Sequence, residues 1–310
     1  MKYGIVVLCI VLLLSGCRED PGSGGSVSTA DTAATTVTTE PIAEMTATTT
    51  AIAATTTGAP AAEGDLALLR QAREAAEAVT GCRYNMECDI RLSVMIVGEM
   101  TLSVKTKGTF YYEDGVCKTR TLTRSEMPGQ SKRTETYLAA ENGQVRKVQN
   151  EGSGWWGGIS SLTPEQVRQN SNPAFLLLAS VGEPLSVRVL GEKTADGQTL
   201  RRLAVTFPNT AWESLLTAAD LSALGQNRDR ITASLRLLGP ATAEFVIDTA
   251  TGVITAMRAD LAEPLQRLVA DTEMPFGLDN AANLNRAVLM VAVSDYNAVE
   301  DFPIPEISPP

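Results

Sequence analysis

Between Tyr84 and Tyr112 the sequence alternates apolar and polar residues almost without a break, and this pattern most narrows what the chain can fold into. Tyr84, Met86, Cys88, Ile90, Leu92, Val94 and Ile96 are separated by Asn85, Glu87, Asp89, Arg91 and Ser93. In an extended chain successive side chains point to opposite faces, so a period of two predicts a long strand with one buried face. Gly98 marks a turn. Met100, Leu102, Val104, Thr106, Gly108, Phe110 and Tyr112 then repeat the pattern against Glu99, Thr101, Ser103, Lys105, Lys107 and Thr109. Glu113-Asp114-Gly115 turns the chain into a strand over about 116 to 126, and Asn142-Gly143 closes a hairpin between strands near 132 to 140 and 144 to 149. The N-terminal half therefore reads as an antiparallel meander, the arrangement that can keep one face on a core and the other in water.

Helix signals surround and follow the meander. Asp65 is placed to cap a helix over about 66 to 80, with Leu68, Ala72, Ala75 and Val79 as its apolar stripe. Thr163-Pro164-Glu165-Gln166 combines a capping box with proline at the first helical position. Asn172-Pro173 starts a short helix ending near Val181, and Thr210-Ala211-Trp212-Glu213 opens another to about Leu224, with Trp212, Leu215, Leu216 and Ala219 facing the core. Strands are expected over about 185 to 191 and 199 to 207. Ala243, Phe245 and Ile247 alternate up to a turn at Asp248-Thr249-Ala250-Thr251-Gly252, Val253 to Leu261 returns, and Ala287 to Tyr296 is a last strand before a proline-rich tail. Strands, then helices, then strands define an α+β domain. A sheet of such long strands twists and curls, and helices can fill its concave side.

The first residues carry an address. Lys2 precedes the ten-residue apolar run Ile5 to Leu14, which is too short for a transmembrane helix of roughly 20 residues. Leu14-Ser15-Gly16-Cys17 follows, with small residues before a cysteine as at a signal cleavage site. Residues 1–16 are thus expected to be a lipoprotein signal peptide and Cys17 the lipid-attachment site, holding the chain on the extracytoplasmic face of a bacterial cell membrane. Each buried CH₂ contributes about 0.8 kcal/mol to such anchoring. Residues 17–63 form the anchor and a Thr/Ala-rich linker. From Pro21 to Ala62 this stretch holds no aromatic residue, too little apolar surface to offset its ordering entropy, so disorder is expected. Its span would be roughly 35 Å if fully flexible. Residues 64–310 make the folded domain.

Charge and composition remove several classes of function. The formal charge is −10, and removal of residues 1–16, whose one charged side chain is Lys2, makes it one unit more negative. Such a protein is repelled by nucleic acid and by anionic headgroups, so no nucleic-acid partner is expected and the anchor must supply the membrane attachment. No histidine occurs in 310 residues, which removes Ser-His-Asp and Cys-His nucleophile systems and histidine metal ligands. No Gly-x-Ser-x-Gly elbow is present. Neither enzyme activity, nor a cofactor, nor a metal site is expected. Of five cysteines, Cys82, Cys88 and Cys117 lie in the domain. Cys82 and Cys88 would stand roughly 20 Å apart along a strand and should not pair. Cys82 with Cys117 is the better disulfide candidate, and three buried thiols are the alternative.

The lipobox at Cys17, the Thr-rich spacer, and the helix followed by alternating strands from Tyr84 together resemble the LolA-like superfamily, and more narrowly its uncharacterised Gram-positive lipoproteins. The Tyr137 strand with Trp155-Trp156, the hairpin Ile247-Asp248-Thr249-Ala250-Thr251-Gly252, and the ending Tyr296-Asn297 through Phe302-Pro303-Ile304-Pro305-Glu306-Ile307 fit the same pattern. The resemblance implies a half-barrel sheet wrapped over helices. It also implies a hydrophobic ligand, a lipid or acyl chain, in the space between them.

Two candidate sites follow. The inner sheet face, with Met86, Ile90, Leu92, Val94, Leu102, Val104 and Phe110, would line an apolar pocket; the same pattern also serves a filled core. Gly154-Trp155-Trp156-Gly157-Gly158 reads as a flexible aromatic loop that either closes over a lipid or stacks on cell-wall sugars, while in a plainer arrangement one Trp plugs the core. Glu87 and Asp89 share a strand face about 7 Å apart, but the solvent face of an alternating strand accounts for them. The expected function is a tethered lipoprotein binding a hydrophobic ligand. A non-enzymatic surface module that meets cell-wall polymer or a partner protein is the alternative.

Overall fold

The computed structural model describes residues 63–94, 98–152, 154–160, 162–172, 174, 183–195, 197–209, 211, 238–263, 266 and 282–307. Cys17, the linker, and the helices expected over 172–181 and 210–224 lie, wholly or nearly so, outside them. Helix α1 (Glu63–Glu77) leads into a run of six strands: β1 (Gly81–Val94), β2 (Gly98–Glu113), β3 (Val116–Met127), β4 (Gln130–Glu141), β5 (Gln144–Asn150) and β6 (Trp155–Ile159). Helix α2 (Pro164–Ser171) follows, then β7 (Ser186–Ala195), β8 (Gln198–Phe207), β9 (Ala241–Asp248), β10 (Ile254–Asp260) and β11 (Ala282–Ser294). All eleven strands form one open sheet in the order β6-β5-β4-β3-β2-β1-β11-β10-β9-β8-β7, and every neighbouring pair is antiparallel. The fold is α+β, as the order of elements predicts, and its curved, open sheet with helices on one face is the half-barrel that the resemblance implies.

The turns explain the register. Asp114 and Gly115 both have positive φ, 48° and 81°, as do Asn142 and Gly143, 53° and 77°. Two consecutive left-handed residues twist a two-residue hairpin in the sense its strands require. Cys117 therefore pairs with Tyr112 and Ala140 with Val145, which puts Phe110, Cys117, Leu138, Ala140 and Val145 of four strands on one face.

Several boundaries differ from the sequence reading, each for a local reason. Asp65 does not cap α1; it is the third helical residue, and its carboxylate accepts a hydrogen bond from the Arg201 guanidinium on β8 at 3.2 Å. The helix stops at Glu77 rather than 80, because the Thr80 amide donates to the Asn297 side chain at 2.8 Å instead of to a helical carbonyl. The last strand starts at Ala282, where it pairs with Val94 across a bulge at Arg91/Leu92. Trp155 to Ile159 is no loop but the edge strand β6, paired along its length with β5. Cys82, Cys88 and Cys117 are three separate buried thiols; all three lie on the inner face, and no Cys82–Cys117 disulfide forms.

The main core lies between this inner face and the helices. Leu68, Leu69, Ala72 and Ala76 of α1 and Val167 of α2 meet Cys82, Phe110, Leu138, Val145, Leu203, Phe245 and Val293 in one buried cluster. At the N-terminus of α2 the Thr163 hydroxyl accepts from the Gln166 amide at 3.2 Å, and the Gln166 side chain accepts from the Thr163 amide at 2.8 Å, completing the expected capping box.

The outer face is crossed by the C-terminal tail. The Asn297 amide donates to Gly81 on β1, and Val299 packs so closely over Gly81 that a Cβ there would lie 3.0 Å away. Lys118 on β3 grips both carboxylate oxygens of Asp301, at 2.6 and 2.8 Å. Phe302 meets Tyr137 on β4 edge to face at 6.4 Å, and Ile307 reaches Gly157 on β6.

Candidate functional site

In an antiparallel sheet, directly paired residues share a face, so the register resolves the inner face into rows. One row runs Val293, Tyr84, Gly108, Thr121, Thr136, Gln149, Trp156. The next towards the helices runs Cys82, Phe110, Thr119, Leu138, Lys147, Gly158. In the opposite direction come Val291, Met86, Thr106, Thr123, Thr134, then Leu289, Cys88, Val104, Ser125, Lys132. The inner face is thus apolar on β11, β1 and β2 and carries hydroxyls on β3 and β4.

The expected ligand residues divide along these rows. Phe110 belongs to the helix-packed core at 1% exposure, with Met86 partly buried against the same cluster. Ile90 and Leu102 form a second buried cluster with Cys88 and Ala287, flanked by Leu92, Leu261, Ala262, Leu284 and Leu289. No residue of α1 or α2 belongs to it. Val104 is buried in the row between, and Val94 closes β1 opposite Gly98. The two tryptophans straddle the sheet. Trp155 lies on the outer face, half-buried, its ring 5.5 Å from that of Tyr137 and inclined at 66°. Trp156 lies on the inner face in the Gln149 row and is 48% exposed. They do not act as one aromatic platform.

Sequence reading missed the polar bank on β2 to β5. Thr106 and Thr119 are each 3% exposed, Lys147 5% and Gln149 7%. Thr106 and Thr123 share a hydrogen bond of 3.1 Å between hydroxyls, and the Gln149 amide donates to Glu151 at 2.7 Å. The signal was present, since Thr119, Thr121 and Thr123 recur at period two and so do Thr134 and Thr136.

Glu87 and Asp89 face outward, as alternation requires. Lys105 lies 2.7 Å from Glu87, and that hydrogen bond raises the Lys105 pKa. Burial pushes the thiols of Cys82, Cys88 and Cys117 up to about 12, so they pack as small apolar groups and are poor nucleophiles.

The geometry defines an open half-barrel with helices on its inner face. No protein-family model and no curated protein matches the chain. Among solved structures it is similar to LprF from Mycobacterium bovis, with 12% identity, a TM-score of 0.45, and coverage of 80% of this chain and 99% of that one. It is similar to the Mycobacterium tuberculosis lipoprotein LppX, at 12% identity and a TM-score of 0.36, covering 76% of this chain and 96% of that one. A LolA superfamily protein from Nitrosomonas europaea, NE2245, matches at 9% identity and a TM-score of 0.22, covering 77% and 94%. The last belongs to the superfamily that the sequence resembles; the fold assignment here rests on strand order and register.

Proposed function

We propose that this chain is a lipoprotein tethered through Cys17 to the extracytoplasmic face of the membrane, and that its inner sheet face binds a lipid or acyl chain. One observation supports the reading: the apolar inner face continues past the core under α1 and α2 into a second cluster, Cys88, Ile90, Leu102 and Ala287, flanked by Leu92, Leu261, Ala262, Leu284 and Leu289. The ligand-binding residues are then Met86, Ile90, Leu92, Val94, Leu102 and Val104, with Trp156 at the far side of the same face. No chemistry is asked of them, which suits a binding protein rather than an enzyme. The test is to purify the full chain from its membrane, extract it with organic solvent and analyse the extract by mass spectrometry. A stoichiometric lipid is expected, and Cys17→Ser should move the chain from membrane to soluble fraction. An extract free of lipid from a folded chain would falsify the binding role, and an unchanged membrane fraction would remove the anchor.

A further inference from the structure

We infer that two copies of this chain pair edge to edge through β6 and continue one sheet across a two-fold axis at Gly157. The direction of the edge backbone is the starting point. The Ser160 amide donates to the Val145 carbonyl of β5 at 2.8 Å. The β5–β6 register then runs without a bulge from Ile159 opposite Arg146 to Trp155 opposite Asn150. Hydrogen-bonded pairs alternate along an antiparallel ladder, so Ser160, Gly158 and Trp156 turn their amides and carbonyls towards β5. Those of Trp155, Gly157 and Ile159 turn away from it. Nothing among the described residues bonds to them on that side, and Trp156 to Ile159 are all exposed. Such an open row of donors and acceptors is a template for another strand.

The edge is complementary to itself. Across a two-fold axis in the plane of the seam the two strands run antiparallel. With the axis at Gly157, Gly157 meets its counterpart and Trp155 meets Ile159 of the second copy, once on each side. Every outward-turned residue then faces another. Moving the axis by one residue leaves Ile159 or Trp155 opposite no residue of β6. On the outer face this register sets an aromatic against a β-branched side chain, a pair that stabilises a ladder. At the axis Gly157 brings no side chain, and Ile307 of the tail fills the place: a Cβ at Gly157 would lie 2.7 Å from Ile307 Cδ1. Charge selects the same partner. A second copy carries the same −10, so contact is favoured where charge is missing. From Gly152 to Pro164 there is none, whereas β7, at the other end of the sheet, carries Arg188, Glu192 and Lys193. Pairing uses up the edge in both copies, so the assembly closes at two. A seam of five residues a side is small beside the roughly 20–30 a side of a stable complex, so the pair is weak and concentration-dependent.

The test weighs the full chain, in density-matched detergent, by sedimentation equilibrium over a rising concentration series. The mass should climb from one chain towards two and stop there. Ile159→Pro removes an outward amide, a change that an edge strand tolerates, and should weaken the pairing at least about tenfold. Ile159→Val should keep it, and Val189→Lys on β7 should leave the series unchanged. Cross-linking reads the register. Trp156 and Gly158 of the two copies would face each other without hydrogen bonds, at a spacing that a disulfide can bridge. Oxidising a mixture of Trp156→Cys and Gly158→Cys chains should therefore link them in pairs, and either variant alone should link far less. A mass of one chain at every concentration overturns the pairing, as does growth beyond two chains or an Ile159→Pro series that matches the wild type. Cross-linking as strong in one variant alone as in the mixture overturns the axis at Gly157. The wild-type series decides the matter even if a β6 variant does not fold.

Discussion

Gly108 shows how one residue can be fixed by a neighbour rather than by its own backbone. A Cβ built at Gly108 would lie 1.9 Å from Tyr84 Cζ, at the hydroxyl end of the ring. Tyr84 crosses from β1 and fills the space that the missing side chain leaves on β2. Gly108→Ala should destabilise the chain by about 1–3 kcal/mol through overpacking, read as a lower urea midpoint at unchanged m-value. The tryptophans make a sharper contrast. Trp155 packs on Tyr137, so Trp155→Ala should cost about 2–4 kcal/mol, whereas Trp156→Ala, at a half-exposed site, should leave the melting temperature nearly unchanged. Equal effects would refute the straddled geometry. The sequence made both residues visible but not their faces, because adjacent residues split across a sheet only once the segment is known to be a strand. The thiols give a pH prediction. Unfolded, they ionise near their ordinary value of 9.0; folded, burial holds them at about 12. The unfolded state therefore releases protons first, and stability present in full below pH 9 should fall between about pH 9 and 12. Cys88→Ala should flatten that part of a melting-temperature profile.

At the level of elements, the long strands were legible because alternation over many residues has no competing explanation. Their joints were legible where Asp114-Gly115 and Asn142-Gly143 dictate the turn. The bounds of α1 were not, because Arg201 and Asn297, far away in sequence, decide how Asp65 and Thr80 are used. The polar bank escaped for a different reason: threonine suits a strand on either face, so its pattern does not reveal which side it lies on. The capping box of α2 is local in both sequence and space. Thr163→Ala should therefore cost about 1 kcal/mol in a chemical denaturation measurement. The tail is the opposite case. Proline-rich and unpatterned, it reads as an appendage, yet it spans the outer face from Gly81 to Gly157. Truncation after Ala298 should uncover Tyr137 and Trp155, lower stability by about 2–4 kcal/mol, and shift tryptophan emission to the red. An unchanged spectrum would contradict the strapped arrangement.

Among the described residues the sheet ends in two edge strands that are treated differently. Strand β7 carries Arg188, Glu192 and Lys193 and a bulge between Val189 and Gly191, the usual protections against unwanted pairing. Strand β6, Trp-Trp-Gly-Gly-Ile, carries no charge at all, and Ile159 is 65% exposed. Ile159→Lys should slow aggregation on heating, measured by turbidity, and the matching change at Val189 on β7 should do less. The strand order has one more consequence, and it concerns time rather than space. The seam at the centre of the sheet joins β1 to β11, with Arg83 opposite Ser294, so the innermost pairing unites segments about two hundred residues apart in the sequence. The β1 to β6 arm on its own is a succession of hairpins between neighbours, which close quickly, whereas distant pairings wait for the loop to be traversed. A chain delivered from its N-terminus can lay down the β1 to β6 arm as it emerges, but it cannot lock the middle until its last strand is out. Amides of β2 and β3 should gain protection from exchange well before those of β11, and the completed sheet is the final event in the life of the emerging chain.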